Sequence, residues 1–548
     1  MPGHVFRHIQ KAASKLAYNS FIYNWSLKGG APDRLVVKPV DPWPGSAEAA
    51  RWLCNGSFVL SSDQETLHAE SWSPPDVDDV WLVHMHGFTW LRDLRTLGGD
   101  MGRRQARGLV EDWIKNHKSW SEMPWRAGVT GERIAMWIAL YEFFGVSADE
   151  DFQDIYFESL TRQARHLSRS LPGNAHGIDL LRAIKGLLYA GLAFEGYEGW
   201  AEQALDLLTQ QLKVQVLGDG AHISRSPAKL LEALQILLDI RTALAAAAYP
   251  CPDKLQHAID RMGPALRFFR YSDKHFALFN GAQEGDQDLV DCILGQANVR
   301  GKGLQSLPCA GYERMSMGRS VVVFDGGRSP PYPHDEGAHA APLAFEMCYG
   351  RERIFVSCGS HSTDPLWQDS LRATAAHSAV TLDHRNACEI VSGGHFQRKT
   401  HVAPLIREEG KGATLLESSH DGYVSLNGIT HRRRLFLTDG GHDFRGEDMF
   451  SSSIGKPTDV LERSVEVAVR FHIHPRVGAS LVRDGEEALL RLPSGIGWRF
   501  SHSAGHLALE DSVYLGQGSR PRKTKQLVIY GQMSEESSTI KWAMRREG

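Results

Sequence analysis

Apolar residues recur at steps of three and four through the first half of the chain and at steps of two through much of the second. In RIAMWIALYEFF, the side chains of Ile134, Trp137, Ile138 and Tyr141 form one stripe. IDLLRAIKGLLYAGL sets Ile178, Leu181, Ile184, Leu188 and Leu192 on another. Ala201, Leu205, Leu208 and Leu212 repeat the spacing, as do Leu230, Leu234, Leu237 and Leu238. This helical period predicts consecutive helices from about Val80 to Phe279, with breaks such as Leu171-Pro172-Gly173 and Gly218-Asp219-Gly220. With no strand of any length between them the helices must pack on one another, and a helical array and a toroid of helix pairs both satisfy the pattern.

After a Gly-rich, polar passage from Asn280 to Gly311 the period changes. SVVVFDGG, LAFEMCYG, RIFVSCG, SAVTLD, GYVSLNG, RRRLFLTDG, VAVRFHIHP, ALLRLP and QLVIYG are short β-rich runs punctuated by Gly, Asp, Asn and Pro. Strands without intervening helices exclude a parallel α/β fold and predict an antiparallel sandwich. The expected organisation is an all-α domain over residues 1–311 followed by an all-β domain over residues 312–548.

Composition narrows the function classes. At 548 residues the chain is too long for one hydrophobic core. Hydrophobic residues at 42% and charged residues at 23% fit a globular protein rather than a disordered one. A net charge of -4 gives no overall attraction to nucleic acid or anionic membrane. Two local basic runs stand out, Arg432 to Arg434 and the cluster Arg520, Arg522, Lys523 and Lys525, each readable as a solvated face or as the lining of a groove for an anionic glycan. The seven cysteines make no disulfide framework and contain no CxxC pair, which excludes a finger-type zinc site. Arg7, His8, Gln10, Lys11 and Lys15 interrupt any secretory h-region in the first thirty residues, and no apolar run is long enough to span a bilayer. The expectation is a cytoplasmic protein without a membrane span.

The densest chemistry lies between Ala338 and Asp383. Two strand-like segments there each carry a histidine at an end, His339 and His377, with Gly350 and Cys358-Gly359 between them. Together with HGFTWLRDL (His86 to Leu94), the Trp125 to Trp137 stretch, LLYAGLAFEG, DGAHISRSP (Asp219 to Pro227), AHAAPLAFE, RATAAHSAVTLD and RFHIHP, this segment resembles the heparinase II/III family of polysaccharide lyases along nearly the whole chain. The resemblance implies an N-terminal (α/α) toroid followed by a C-terminal antiparallel β-sandwich, with a substrate cleft between them. It also implies β-elimination on a uronic-acid-containing poly- or oligosaccharide. That reaction needs a base for the proton beside the uronate carboxylate, an acid for the leaving oxygen and a group to neutralise the carboxylate. Large glycans are met outside the cytoplasm, so the resemblance sets a small intracellular oligosaccharide against a periplasmic location.

The family's tyrosine falls on Lys229, and its Asn-His pair on Ile178-Asp179, beside Asn174 and His176 in GNAHG. Of its His-x-His only His339 is kept, Gly337 standing at the first position, with His334 five residues before His339. Some members hold a structural zinc with two histidines and an aspartate; here His339 and His377 are present, Ser357 takes the aspartate position, and Cys358 follows as a substitute ligand. Hydrogen-bonded histidines beside a packed thiol account for the same three residues without a metal. His222 and Arg225 precede a strong helix that Ser226 and Pro227 open. Arg225 suits a carboxylate clamp or, equally, a pairing with Asp219 that fixes its loop. The resemblance thus names His222, Lys229, His339 and His334 for acid/base roles, and Arg225, Asn174 and His176 for substrate. Loss of the tyrosine, the Asn-His pair and the first histidine also allows a catalytically silent carbohydrate-binding or structural relative, or a different reaction in the same cleft.

Overall fold

The computed structural model describes residues 14–60, 66–361, 364–391, 394–452, 464–533 and 538–547. Two compact units divide the chain. One comprises Met1–Val216, Glu232–Asp260 and Asp291–Ala297; the other comprises Leu217–Leu231, Arg261–Val290 and Asn298–Gly548.

The first unit is helical. Helix Glu150–Ser170 buries one stripe, Phe152, Tyr156, Leu160 and Leu167, and starts at Asp149, whose carboxylate accepts from the Phe152 amide at 2.9 Å. Helix Ala127–Phe144 is buried on almost every side and so carries apolar residues all round. It meets helix Gly177–Ala193 backbone to backbone, since a Cβ on Gly186 would overlap the main chain of Gly131. Beside this crossing the ammonium of Lys185 lies 3.0 Å from Glu132 Oε1 and 3.1 Å from Asp239 Oδ2, and Trp43 Nε1 donates to Asp239 at 2.6 Å. Burial acts to lower the Lys185 pKa, but the two carboxylates outweigh it and keep the ammonium charged.

The second unit holds two large antiparallel sheets. One runs in the order Ile406–Gly410, Ala413–Tyr423, Ile429–Thr438, Asp443–Ser452, Thr539–Arg546, Gly497–His502, Glu487–Arg491 and Gly478–Val482. The other runs His506–Tyr514, Arg522–Met533, Val465–Ile473, Glu352–Val356, Phe345–Tyr349, Ser320–Asp325, Tyr312–Met317 and Ser306–Leu307, with Val380–Leu382 paired onto Val465–Ile473. Their facing side chains form one core in which the Phe345 ring lies 5.4 Å from both Trp542 and Phe444. The expected helical region followed by an antiparallel β-sandwich is therefore the architecture observed.

Two expectations change in detail. GYVSLNG is not one strand: Tyr423 ends the strand and Val424–Asn427 makes a helical turn that closes at Gly428, φ +69°. The basic run Arg432 to Arg434 is not a uniform solvated face, because strand alternation turns its middle member inward. Arg433 is fully buried, Nε 2.7 Å from Asp448 Oδ1 and Nη2 3.1 Å from Oδ2, while Arg432 and Arg434 face outward toward Glu417.

Candidate functional site

The loop Leu217–Ser226 is the start of a polar cluster inside the second unit. Gly220 sits at φ +87°, where any side chain would run into the backbone of Arg261, so the turn that carries His222 and Arg225 requires glycine. His222 is buried, and its Nδ1 accepts from the Ser224 amide at 3.2 Å and lies 2.7 Å from the Ser224 hydroxyl, which assigns the proton to Nε2. Ser226 Oγ accepts from the Lys229 amide at 3.5 Å, a cap that seats Lys229 in the first turn of the helix.

Arg225, at φ +59°, points its guanidinium into the unit. Nε donates to the Ala310 carbonyl at 2.6 Å, Nη1 to the Arg328 carbonyl at 3.0 Å and Nη2 to Asp325, while the Tyr312 ring lies 4.6 Å beneath. The partner of this arginine is thus Asp325. Asp219 accepts instead from the Ala221 and Ala310 amides, at 3.1 and 2.9 Å. The Arg225 carbonyl accepts from the Tyr312 hydroxyl at 3.0 Å and from Asn280 Nδ2 at 3.2 Å, and the same Nδ2 lies 2.7 Å from that hydroxyl. Burial pushes the Tyr312 phenol well above its ordinary pKa, so it stays protonated.

Asn280 links this cluster to the histidines. Its Oδ1 accepts from the His339 amide at 3.0 Å, and the ring of His339 faces the amides of Asn280 and Gly281, at 3.2 and 2.9 Å. The His339 and His377 rings stack at 4.1 Å. His377 is fully buried, and neither of its ring nitrogens has a hydrogen-bond partner among the described residues. Burial first and His472 second depress its pKa to about 3; burial, His377 and Arg372 depress that of His339. Both rings are neutral at pH 7. His334 approaches from another loop, its ring edge-on to His222 at 6.2 Å.

The zinc donors named from the sequence do not assemble into a set. Cys358 Sγ lies 3.4 Å from His472 Nδ1 and 3.8 Å from the Ser512 hydroxyl, and burial pushes its thiol up to about 12. Among the described residues no three His, Cys, Asp or Glu side chains are grouped to hold a metal ion. The buried Ser357 hydroxyl has no hydrogen-bond partner among the described residues and offers no charge in place of the family's aspartate.

His222, Arg225, Lys229, His334, His339 and His377 all belong to the second unit, whereas Asn174 and His176 belong to the first, in the turn that opens helix Gly177–Ala193. His176 Nδ1 contacts the Asn174 carbonyl at 3.3 Å. The sequence reading did not single out Asn280, Tyr312 or Asp325. The Asn280-Gly281 turn dipeptide was a usable signal for the first, whereas Tyr312 and Asp325 read as ordinary strand residues.

A helical region leading into an antiparallel β-sandwich, with a histidine-rich loop cluster on the sandwich, defines a polysaccharide-lyase-like fold. The chain belongs to the heparinase II/III-like family: its N-terminal family model matches residues 103–298 and its C-terminal model residues 299–543. A relative, FtsZ-localized protein C of Caulobacter vibrioides (strain NA1000 / CB15N), is 31% identical over 532 residues, covering 94% of this chain and 91% of that protein. Among solved structures, heparinase III matches with a TM-score of 0.77 at 13% identity, over 98% of this chain and 91% of that one. The heparan sulfate lyase HepC from Pedobacter heparinus matches with a TM-score of 0.61 at 17% identity, over 93% of this chain and 83% of that one.

Proposed function

We propose that this chain keeps the lyase fold without β-elimination and serves as a binding protein that localises with FtsZ. One observation carries the first half of the reading: the groups suited to neutralise a uronate carboxylate are committed to the protein itself. The Arg225 donors reach two carbonyls and Asp325, and the Asn280 amide bonds Tyr312, Arg225 and His339. Redirecting them to substrate would strand a buried carboxylate and several buried carbonyls, a cost that works against transition-state stabilisation. The likeness to FtsZ-localized protein C along 94% of the chain supports the second half.

A second reading, a lyase with His222, His334, Lys229 and His339 in acid/base roles, draws support from the edge-on approach of His334 to His222, their ring centroids 6.2 Å apart. The experiment has two arms. The purified protein is incubated with a panel of uronate polysaccharides and oligosaccharides while the ultraviolet absorbance of the unsaturated product is followed, and a fluorescent fusion is imaged with labelled FtsZ. The proposal expects a flat absorbance trace and co-localisation. Appearance of the chromophore, lost in His222→Ala, would establish the lyase reading; a diffuse fusion would remove the FtsZ association.

A further inference from the structure

The eight-stranded sheet of the second unit carries a hollow of about 450 Å³ on the face turned away from the core. Strand register accounts for its shape. Leu415, Phe436, Arg445, Ala543 and Ser501 stand opposite one another on five successive strands, forming one row across that face. At a strand spacing of about 4.8 Å the row is about 19 Å long. Leu415, Phe436 and Ala543 are partly exposed, so much of it is a low apolar floor. The rows on either side are long and charged: Glu417, Arg434, Glu447 and Lys541 on one, Asp443 and Arg545 on the other.

Charge on these banks does not balance. Arg432 lies 3.6 Å from Glu417, which Arg434 Nε also reaches; Arg434 Nη1 and Lys541 Nζ lie 3.5 and 3.3 Å from Glu447; Arg445 Nε and Arg545 Nε lie 2.9 and 3.3 Å from Asp443. Five cations therefore share three carboxylates, in a chain whose net charge is -4. Lys541 and Arg545 leave 65% and 61% of their side chains exposed, so both are able to swing toward a partner. Arg545 meets Asp443 through Nε, which leaves its Nη donors to other groups.

The chemistry of floor and banks indicates the occupant. All five strands are interior to the sheet, with their backbone groups paired on both sides, so a partner is met by side chains and not by strand addition. An apolar floor between cationic banks matches a polypeptide that interleaves apolar and acidic side chains. A saccharide would set its hydroxyls against Leu415, Phe436 and Ala543, with neutral polar side chains only at the end formed by Ser501, His502 and Ser503.

We propose that this trough docks an acidic polypeptide segment bearing apolar side chains, Phe436 and its neighbours taking the apolar groups and Arg434, Arg445, Lys541 and Arg545 meeting the carboxylates. The site lies wholly within the sandwich unit and uses none of the residues of the histidine cluster, so it goes beyond the reading given above.

The test is fluorescence anisotropy of a labelled random copolymer of glutamate and tyrosine titrated with the purified full chain, beside labelled polyglutamate and a labelled oligogalacturonate. The copolymer is expected to bind more tightly than polyglutamate, with an affinity that falls as salt is raised, and the oligogalacturonate to stay unbound. Phe436→Ser should weaken copolymer binding about tenfold. The double variant Lys541→Gln, Arg545→Gln should weaken it by a similar factor and flatten the salt dependence. Both of its positions are exposed, so an unchanged thermal unfolding curve establishes that it is folded even if Phe436→Ser is not. A copolymer that fails to bind, or that binds the folded double variant as well as the wild type, overturns the proposal. Oligogalacturonate binding that the double variant loses, without copolymer binding, assigns the trough to an acidic saccharide and also overturns it. None of these readouts depends on lyase turnover or on FtsZ.

Discussion

The Asp325 carboxylate accepts from the Arg225 guanidinium inside the sandwich unit, and the same guanidinium lies 4.6 Å from the Tyr312 ring. Neither partner is more than a tenth exposed. Removing one leaves the other as an uncompensated buried charge. Asp325→Ala and Arg225→Met should each lower stability by about 3 to 5 kcal/mol in chemical denaturation, and the double variant should lose less than the sum.

His166 provides a pH-dependent test of the first unit. Burial, with smaller contributions from Arg133 and Arg169, depresses its pKa to about 4, while a hydrogen bond to the Trp125 backbone acts the other way. Between that value and the ordinary 6.5 the unfolded chain binds a proton that the native state refuses. The contribution of His166 is therefore present above pH 6.5 and lost as pH falls toward 4, with a slope of up to about 1.4 kcal/mol per pH unit. Since Tyr23 bonds this ring, urea melts across that range should show a shallower acid loss in His166→Gln than in the wild type.

Metal removal should have no effect on folding. With Cys358 engaged by His472 and Ser512, and no three-donor group among the described residues, overnight chelation should leave the thermal midpoint unchanged and elemental analysis should find zinc well below one per chain. His377→Phe should stay within about 1 kcal/mol of the wild type, because it removes two buried nitrogens that bond nothing described. A large loss of stability on chelation would restore a metal to this part of the sandwich.

The helix crossing at Gly131 and Gly186 admits no added carbon without separating the two helices. Gly131→Ala and Gly186→Ala should each be destabilised by about 1 to 3 kcal/mol through overpacking, although alanine is the better helix former. Circular dichroism melts measure both.

Helix and strand periods made the architecture legible because burial on one face is written directly into residue spacing. Strands whose inner face carries polar or small residues were harder to read. Asp443–Ser452 turns Phe444, Gly446, Asp448 and Phe450 inward, and Asp448 belongs there only because Arg433, His431 and Trp542 bond it. The candidate site was legible in part for a related reason. His222, Arg225 and His339 carry chemistry that draws notice, whereas their partners Asp325, Asn280 and Tyr312 come from segments remote in sequence. Spacing gives no sign that Arg225 reaches 100 residues ahead to find its carboxylate.

The sandwich unit takes in Leu217–Leu231 and Arg261–Val290, well upstream of its first strands. A fragment cut at residue 299 would lose Arg225 and Asn280, leaving Asp325 without its cation and the Tyr312 hydroxyl without its acceptor. The C-terminal half cut at that point is therefore not a complete folding unit, because part of its own packing is supplied by chain that precedes it.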